Sequence, residues 1–168
     1  MKEPVMTHRE WERTVPVVIR EDVLWTVTAY RLAFFLSDIA WNDVQRLVKE
    51  IGMRSLSDQL YRSVGSVCAN IEEGYSKMSA KDRARFYEYS LGSAREARGW
   101  YYRGRHVLGE NVTEHRMNLL TDIIRLLLTM IPDQRNNTVC EESEVVYGSE
   151  KWKDAVVPLA GTVDKINN

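Results

Sequence analysis

The sequence predicts an all-α fold, an up-and-down antiparallel four-helix bundle. Apolar residues recur at intervals of three and four through most of residues 21–132, the period of a helix that buries one face. Capping residues and glycines punctuate that stretch. Its later turns are short, which makes successive helices antiparallel neighbours. A chain of 168 residues suits one domain with a sizeable core. We therefore divide it into an N-terminal extension (1–20), the bundle (21–132) and an acidic, loosely ordered tail (133–168).

The first helix is predicted over Glu21 to about Asp38, where Leu24, Val27, Tyr30, Phe34 and Phe35 keep helical spacing. A kink is expected between Ser37 and Asn42. Asn42 would cap a second piece, Asp43 to Glu50, whose Val44, Leu47, Val48 and Ile51 keep the period and which stops at Gly52. Ser55-Leu56-Ser57-Asp58 has the spacing of a capping box and opens the second helix, with Leu56, Leu60, Val64, Val67 and Ile71 as its seam. Gly74 reads as a left-handed stop, because glycine reaches positive φ without a Cβ clash.

Ser79-Ala80-Lys81-Asp82 opens a third helix that runs to Leu108. At about 100° per residue, Phe86, Ser90, Ser93, Ala97, Trp100, Gly104 and Leu108 share one side. Gly92 and Gly99 lie on another, each costing about 1 kcal/mol of helix propensity relative to alanine. A close contact with another subunit would explain them. Gly109, Asn111 and Glu114 mark the turn into a fourth helix, with Met117, Leu120, Ile124, Leu127 and Ile131 as its periodic apolar residues and Pro132 as its end.

Overall charge is −1, which argues against a surface that grips nucleic acid everywhere. Its distribution is uneven. Residues 53–108 carry 10 Lys/Arg against 6 Asp/Glu, whereas residues 136–168 carry 3 against 6. Arg83, Arg85, Arg95, Arg98, Arg103 and Arg105 make up most of the basic excess, with Arg83, Arg98 and Arg105 on one side of the predicted helix and Arg85 and Arg103 on another. A solvated, salt-bridged face is the plain reading of such a run; an RNA or partner surface is the sharper one.

The motifs of several helical enzymes are missing. None of His8, His106 and His115 has an acid three residues before it, as a di-iron bundle would require. Glu72 and Glu73 are adjacent and diverge by about 100°, a poor half-site for magnesium. No phosphate loop, GxSxG or HExxH occurs. We expect no enzymatic activity, no metal and no cofactor. Cys68 and Cys140 have no metal-site spacing and read as reduced thiols. With no apolar run before Glu10 and none long enough to span a bilayer, a cytoplasmic location is expected.

The residues Gln59-Leu60-Tyr61-Arg62-Ser63, Asn70-Ile71-Glu72-Glu73-Gly74, Arg85-Phe86 and Gly92-Ser93-Ala94-Arg95-Glu96 form a pattern of their own. It resembles the bacterial four-helix-bundle proteins encoded in 23S rRNA intervening sequences, a family that includes the accessory variability determinant of diversity-generating retroelements. Asn70, Glu73, Gly74, Phe86, Gly92, Ser93 and Glu96 carry the resemblance, which spans roughly Leu24 to Ile131. It implies a non-enzymatic accessory subunit that assembles into a homopentameric ring. In the retroelement branch it further implies binding of a reverse transcriptase and its RNA through basic surfaces. The alternative is a protein-only assembly module that recruits a partner through its terminal extensions, with Trp152, Val156 and Leu159 of the tail as a docking segment. Glu72 and Glu73 are expected to tether the hairpin to Lys81, Arg83 and Arg85, with Asn70 bonding loop backbone.

Overall fold

Four long helices share one core, and each is placed by a stripe of apolar side chains. The computed structural model describes residues 7–136, all of whose regular structure is helical. The tail residues Trp152, Val156 and Leu159 lie outside the described residues.

The chain enters through α1 (His8–Thr14), capped by a reciprocal pair in which Thr7 Oγ1 accepts from the Glu10 amide and Glu10 accepts from the Thr7 amide. After α2 (Val17–Arg20), Asp22 accepts from the Leu24 amide at 2.8 Å and starts a 3-10 turn, Val23–Thr26. The long α3 (Thr28–Leu47) follows. The first helix thus begins seven residues later than the sequence suggests, and no kink occurs at 37–42. Ser37 turns its hydroxyl back onto the Ala33 carbonyl at 3.0 Å, and buried Leu36, Ile39 and Ala40 carry the apolar stripe straight through. Asn42 is exposed mid-helix, so it caps nothing. Val48 and Ile51 fall beyond the helix end and face solvent, Ile51 at 91% exposure.

Helix α4 (Arg54–Tyr75) buries Leu60, Val64, Val67 and Ile71 as its spacing requires. It starts one residue before Ser55 and has no side-chain cap, so the expected capping box is absent. Gly74 is not a left-handed stop either; it sits inside α4, and the described glycine with positive φ is Gly109, at 85°. What requires glycine at 74 is proximity. A Cβ there would lie 2.9 Å from Tyr87 Cε1 and 3.0 Å from Phe86 Cβ. The next helix, α5 (Ala80–Arg103), therefore crosses against bare backbone. Ser79 caps α5 by accepting from the Asp82 amide, and Ser90 donates to the Val67 carbonyl at 2.8 Å, which fixes the antiparallel register of α4 against α5.

The buried side of α5 is Ala84, Tyr87, Ser90, Leu91, Ala94, Ala97 and Tyr101. That stripe is rotated from the one the spacing suggested: Phe86, Ser93 and Trp100 lie only half-buried at its margin. The helix also stops at Arg103. Gly104 lies close under Leu47 and Leu56, and the chain restarts as α6 (Arg105–Leu108). Gly109, with its positive φ, then turns it into α7 (Glu110–Arg135). Asn111 lies within this helix. Pro132 does not end it; the proline sits on the solvent side, four residues after exposed Leu128, and the backbone stays helical to Arg135.

Gly74→Ala should destabilise the fold by about 1–3 kcal/mol, because the methyl group must displace a buried tyrosine ring and backbone-proximal Cβ. Gly65→Ala, where a Cβ meets nothing within 4 Å, should be neutral or stabilising by up to about 1 kcal/mol. Urea unfolding of the two variants beside the parent measures both; equal losses would contradict the close-packing role of Gly74.

Candidate nucleic-acid or partner interface

The six arginines of the basic segment separate into two groups. Arg83 and Arg98 hold the molecule together. Arg83 donates to Gln134 Oε1 at 2.7 Å on α7 and to the carbonyls of Lys77 and Met78, and Arg98 donates to Thr121 Oγ1 at 3.2 Å. Arg83, not the glutamate pair, ties down the α4–α5 hairpin. Glu73 instead pairs with Lys77 at 3.1 Å, and Glu72 accepts weakly from the Cys68 thiol. Burial and Glu72 together push that thiol, and the Tyr30 hydroxyl on α3, above their ordinary ranges. Asn70 bonds the Ser66 carbonyl of its own helix at 2.7 Å and reaches no loop backbone.

Arg85, Arg95, Arg103 and Arg105 remain toward solvent, and three of them lie over rings. The Arg103 guanidinium is 4.5 Å from the centre of Trp100, Arg105 is 4.1 Å from Tyr102, and Arg85 is 5.7 Å from Phe86. Lys77 covers Phe86 as well, at 4.6 Å. Each arginine pair presents a planar cation over an aromatic ring, the arrangement that suits phosphates and stacked bases. Arg85 and Arg103 are 18 residues apart, five whole turns, so both lie on one line about 27 Å long. Arg85 also pairs with Asp82 at 3.2 Å. Arg105 lies beyond the break at Gly104 and bonds the Tyr102 carbonyl at 2.9 Å.

Between Arg85 and Arg103 the same outward line carries Tyr89, Gly92, Glu96 and Gly99. A Cβ at Gly92 would meet nothing within 4 Å, and one at Gly99 only the tip of Arg103 at 4.0 Å. Gly65 on α4 is equally open, and the Ser90–Val67 bond sets it level with Gly92. Among the described residues nothing requires glycine at these three positions. The other motif residues serve α5 itself: Ser93 bonds the Tyr89 carbonyl at 2.9 Å, and Glu96 accepts from Trp100 Nε1 at 3.1 Å, which holds the indole beneath Arg103.

All of these residues fall inside the stretch, 26–130, that matches the family model described as 23S rRNA-intervening sequence protein. The chain belongs to that family. A crystal structure of a protein of unknown function from the S23 ribosomal protein family of Bacteroides thetaiotaomicron has the same fold, with a TM-score of 0.59 at 24% identity over 62% of this chain and 98% of that one. No curated protein matches the chain. Residues 8–25 precede the family's matched stretch, yet Trp11 and Val15 are buried, so this part of the extension packs as core.

Inside this intervening-sequence fold lies a buried polar group that spacing did not reveal. Asp43 on α3 and Arg116 on α7, both 0% exposed, form a two-pronged ion pair at 2.8 and 3.1 Å, and Tyr101 on α5 donates to Asp43 at 3.0 Å. Arg116 also contacts His115 Nδ1 at 2.8 Å. Burial, then the Asp43 charge, drives the Tyr101 hydroxyl well above its usual range; burial and the neighbouring Arg116 lower His115 to about 3. The enclosed ion pair is a structural clasp. Among the described residues no helix is long and apolar enough to cross a membrane.

Asp43→Ala should cost about 3–5 kcal/mol by leaving a buried guanidinium without its carboxylate. Asp43→Leu combined with Arg116→Met and Tyr101→Phe should recover most of that. Chemical denaturation of both is the measurement; a single mutant as stable as the parent would contradict the clasp.

Proposed function

We propose that the chain is a non-enzymatic accessory subunit whose α5 surface holds single-stranded RNA, within a ribonucleoprotein that also contains a reverse transcriptase. The observation that supports this most is the set of cation–ring pairs, Arg85–Phe86 and Arg103–Trp100 on α5 with Arg105–Tyr102 just beyond its end. Guanidinium groups that rest on rings are held ready for phosphate, and Tyr89, 53% exposed, adds a ring for a base. The near-neutral chain confines such binding to this segment.

The open glycines support self-assembly. A helix about 10–12 Å wide, laid across Gly65 and Gly92, would cover the middle of the 27 Å line and leave Arg85 and Arg103 free at its ends. On this reading the four long helices form an up-and-down bundle, and copies of it join through that face into the homopentameric ring that the family resemblance implies. The assembly works in the cytoplasm without metal or cofactor.

Arginine-to-glutamine changes at 85, 95, 103 and 105 should abolish binding of a fluorescent single-stranded RNA while leaving the helical spectrum unchanged. The parent's log-log salt dependence should have a slope of roughly −2.8 for four phosphate contacts. No binding by the parent at low salt would remove the RNA reading and leave a protein-only assembly module. Independently, Gly92→Leu should lower the mass measured by light scattering without unfolding the chain; an unchanged mass would remove this face from the assembly.

A further inference from the structure

Helix α1 has seven residues, about two turns, too few to be stable by itself. Its place depends on what it touches on α3. Trp11, 1% exposed, lies 4.9 Å from the Phe35 ring, 6.1 Å from Phe34 and 6.2 Å from Trp25, and its indole N–H donates to Asp38 at 2.6 Å. One turn earlier His8 enters the same cluster. It is 5% exposed, edge-on to Phe35 at 4.8 Å and tilted against Trp11 at 5.5 Å, and neither ring nitrogen has a hydrogen-bond partner among the described residues. An aromatic wedge would fill this site as well without two polar atoms.

We propose that α1 is a proton-operated latch: protonation of His8 releases it from α3 and uncovers the rings of Trp25, Phe34 and Phe35 while the helices behind remain folded. The charges around His8 favour release. From α3, Arg31 opposes an imidazolium, and Asp38 is engaged by Trp11. On α1 itself, Glu12 faces Arg31 at 3.9 Å and Glu10 is turned back onto Thr7, while Arg9 and Arg13 add positive charge. Among the described residues, the carboxylates nearest His8 already have other partners.

Burial, then Arg31, lowers His8 from 6.5 to about 4 when α1 is docked. Docking is therefore strongest above pH 6.5, and it weakens as pH falls through the window down to about 4, toward a limit of roughly 300-fold once the pH lies below both values.

Nuclear magnetic resonance of the full chain from pH 7.5 to 4.5 tests this directly. The Trp11 indole and the amides of residues 8–14 should move together toward unstructured positions as the pH falls from 6.5 to 4.5, with the methyl groups of Leu120 and Leu127 unchanged. His8→Phe should hold α1 docked throughout, and Trp11→Ala should free it even at pH 7.5. Three results would overturn the latch: α1 signals constant to pH 4.5, release of the His8→Phe variant at the parent's pH, or loss of the Leu120 and Leu127 signals in step with α1.

Discussion

The contact on which the arrangement of the long helices depends is the clasp between Asp43 and Arg116. It joins α3 to α7 at the centre of the molecule, and the Tyr101 hydroxyl adds α5 to the same carboxylate. Apolar stripes allow a helix to rotate or slide by a residue at modest cost; a buried carboxylate with a two-pronged partner does not. Any shift of register would strand a charge in a region without water, at several kcal/mol. The fourth long helix is set differently. Gly74 lets α5 come against α4 at backbone distance, and Ser90 then fixes how far along it lies. Three helices are thus positioned by charge and one by shape.

Because α5 is held from both sides, its outward line is rigid. Its inner residues meet α4 and α7, and Arg83 and Arg98 reach across to α7 as struts. Arg85, Arg95 and Arg103 are therefore carried on a fixed rod and not on a loop, and the rings of Phe86 and Trp100 limit the rotation of Arg85 and Arg103. A surface of this kind keeps the spacing of its charges.

Much of this was legible in the sequence, for identifiable reasons. The Ser79 start and the seams of α4 and α7 are local signals, and the structure follows them. The pattern around Asn70, Phe86 and Gly92 placed the chain in its family before any coordinates. Elsewhere a tertiary cause overrode the local one. The kink at 37–42 disappeared because burial on both sides of it favoured a straight helix. Gly74 looked like a stop because a glycine near a helix end usually is one, whereas the ring of Tyr87 lies far off in sequence. Proline at 132 was tolerated by a helix side that faces water. Of the candidate interface, the arginines were visible as a cluster, but which serve as struts depends on Gln134 and Thr121, and no spacing rule links those. Asp43 and Arg116 are separated by 73 residues and each looks like an ordinary surface charge in the sequence.

The open glycines change how stability should be read here. At 65 and 92 alanine would suit the isolated chain at least as well, since the added methyl group meets nothing and the helix gains propensity. A substitution scan scored only on the single chain would rank the native residue below its replacement at both places. Under the proposed self-assembly, that ranking would invert, because the methyl group would meet a neighbouring copy packed on the bare backbone.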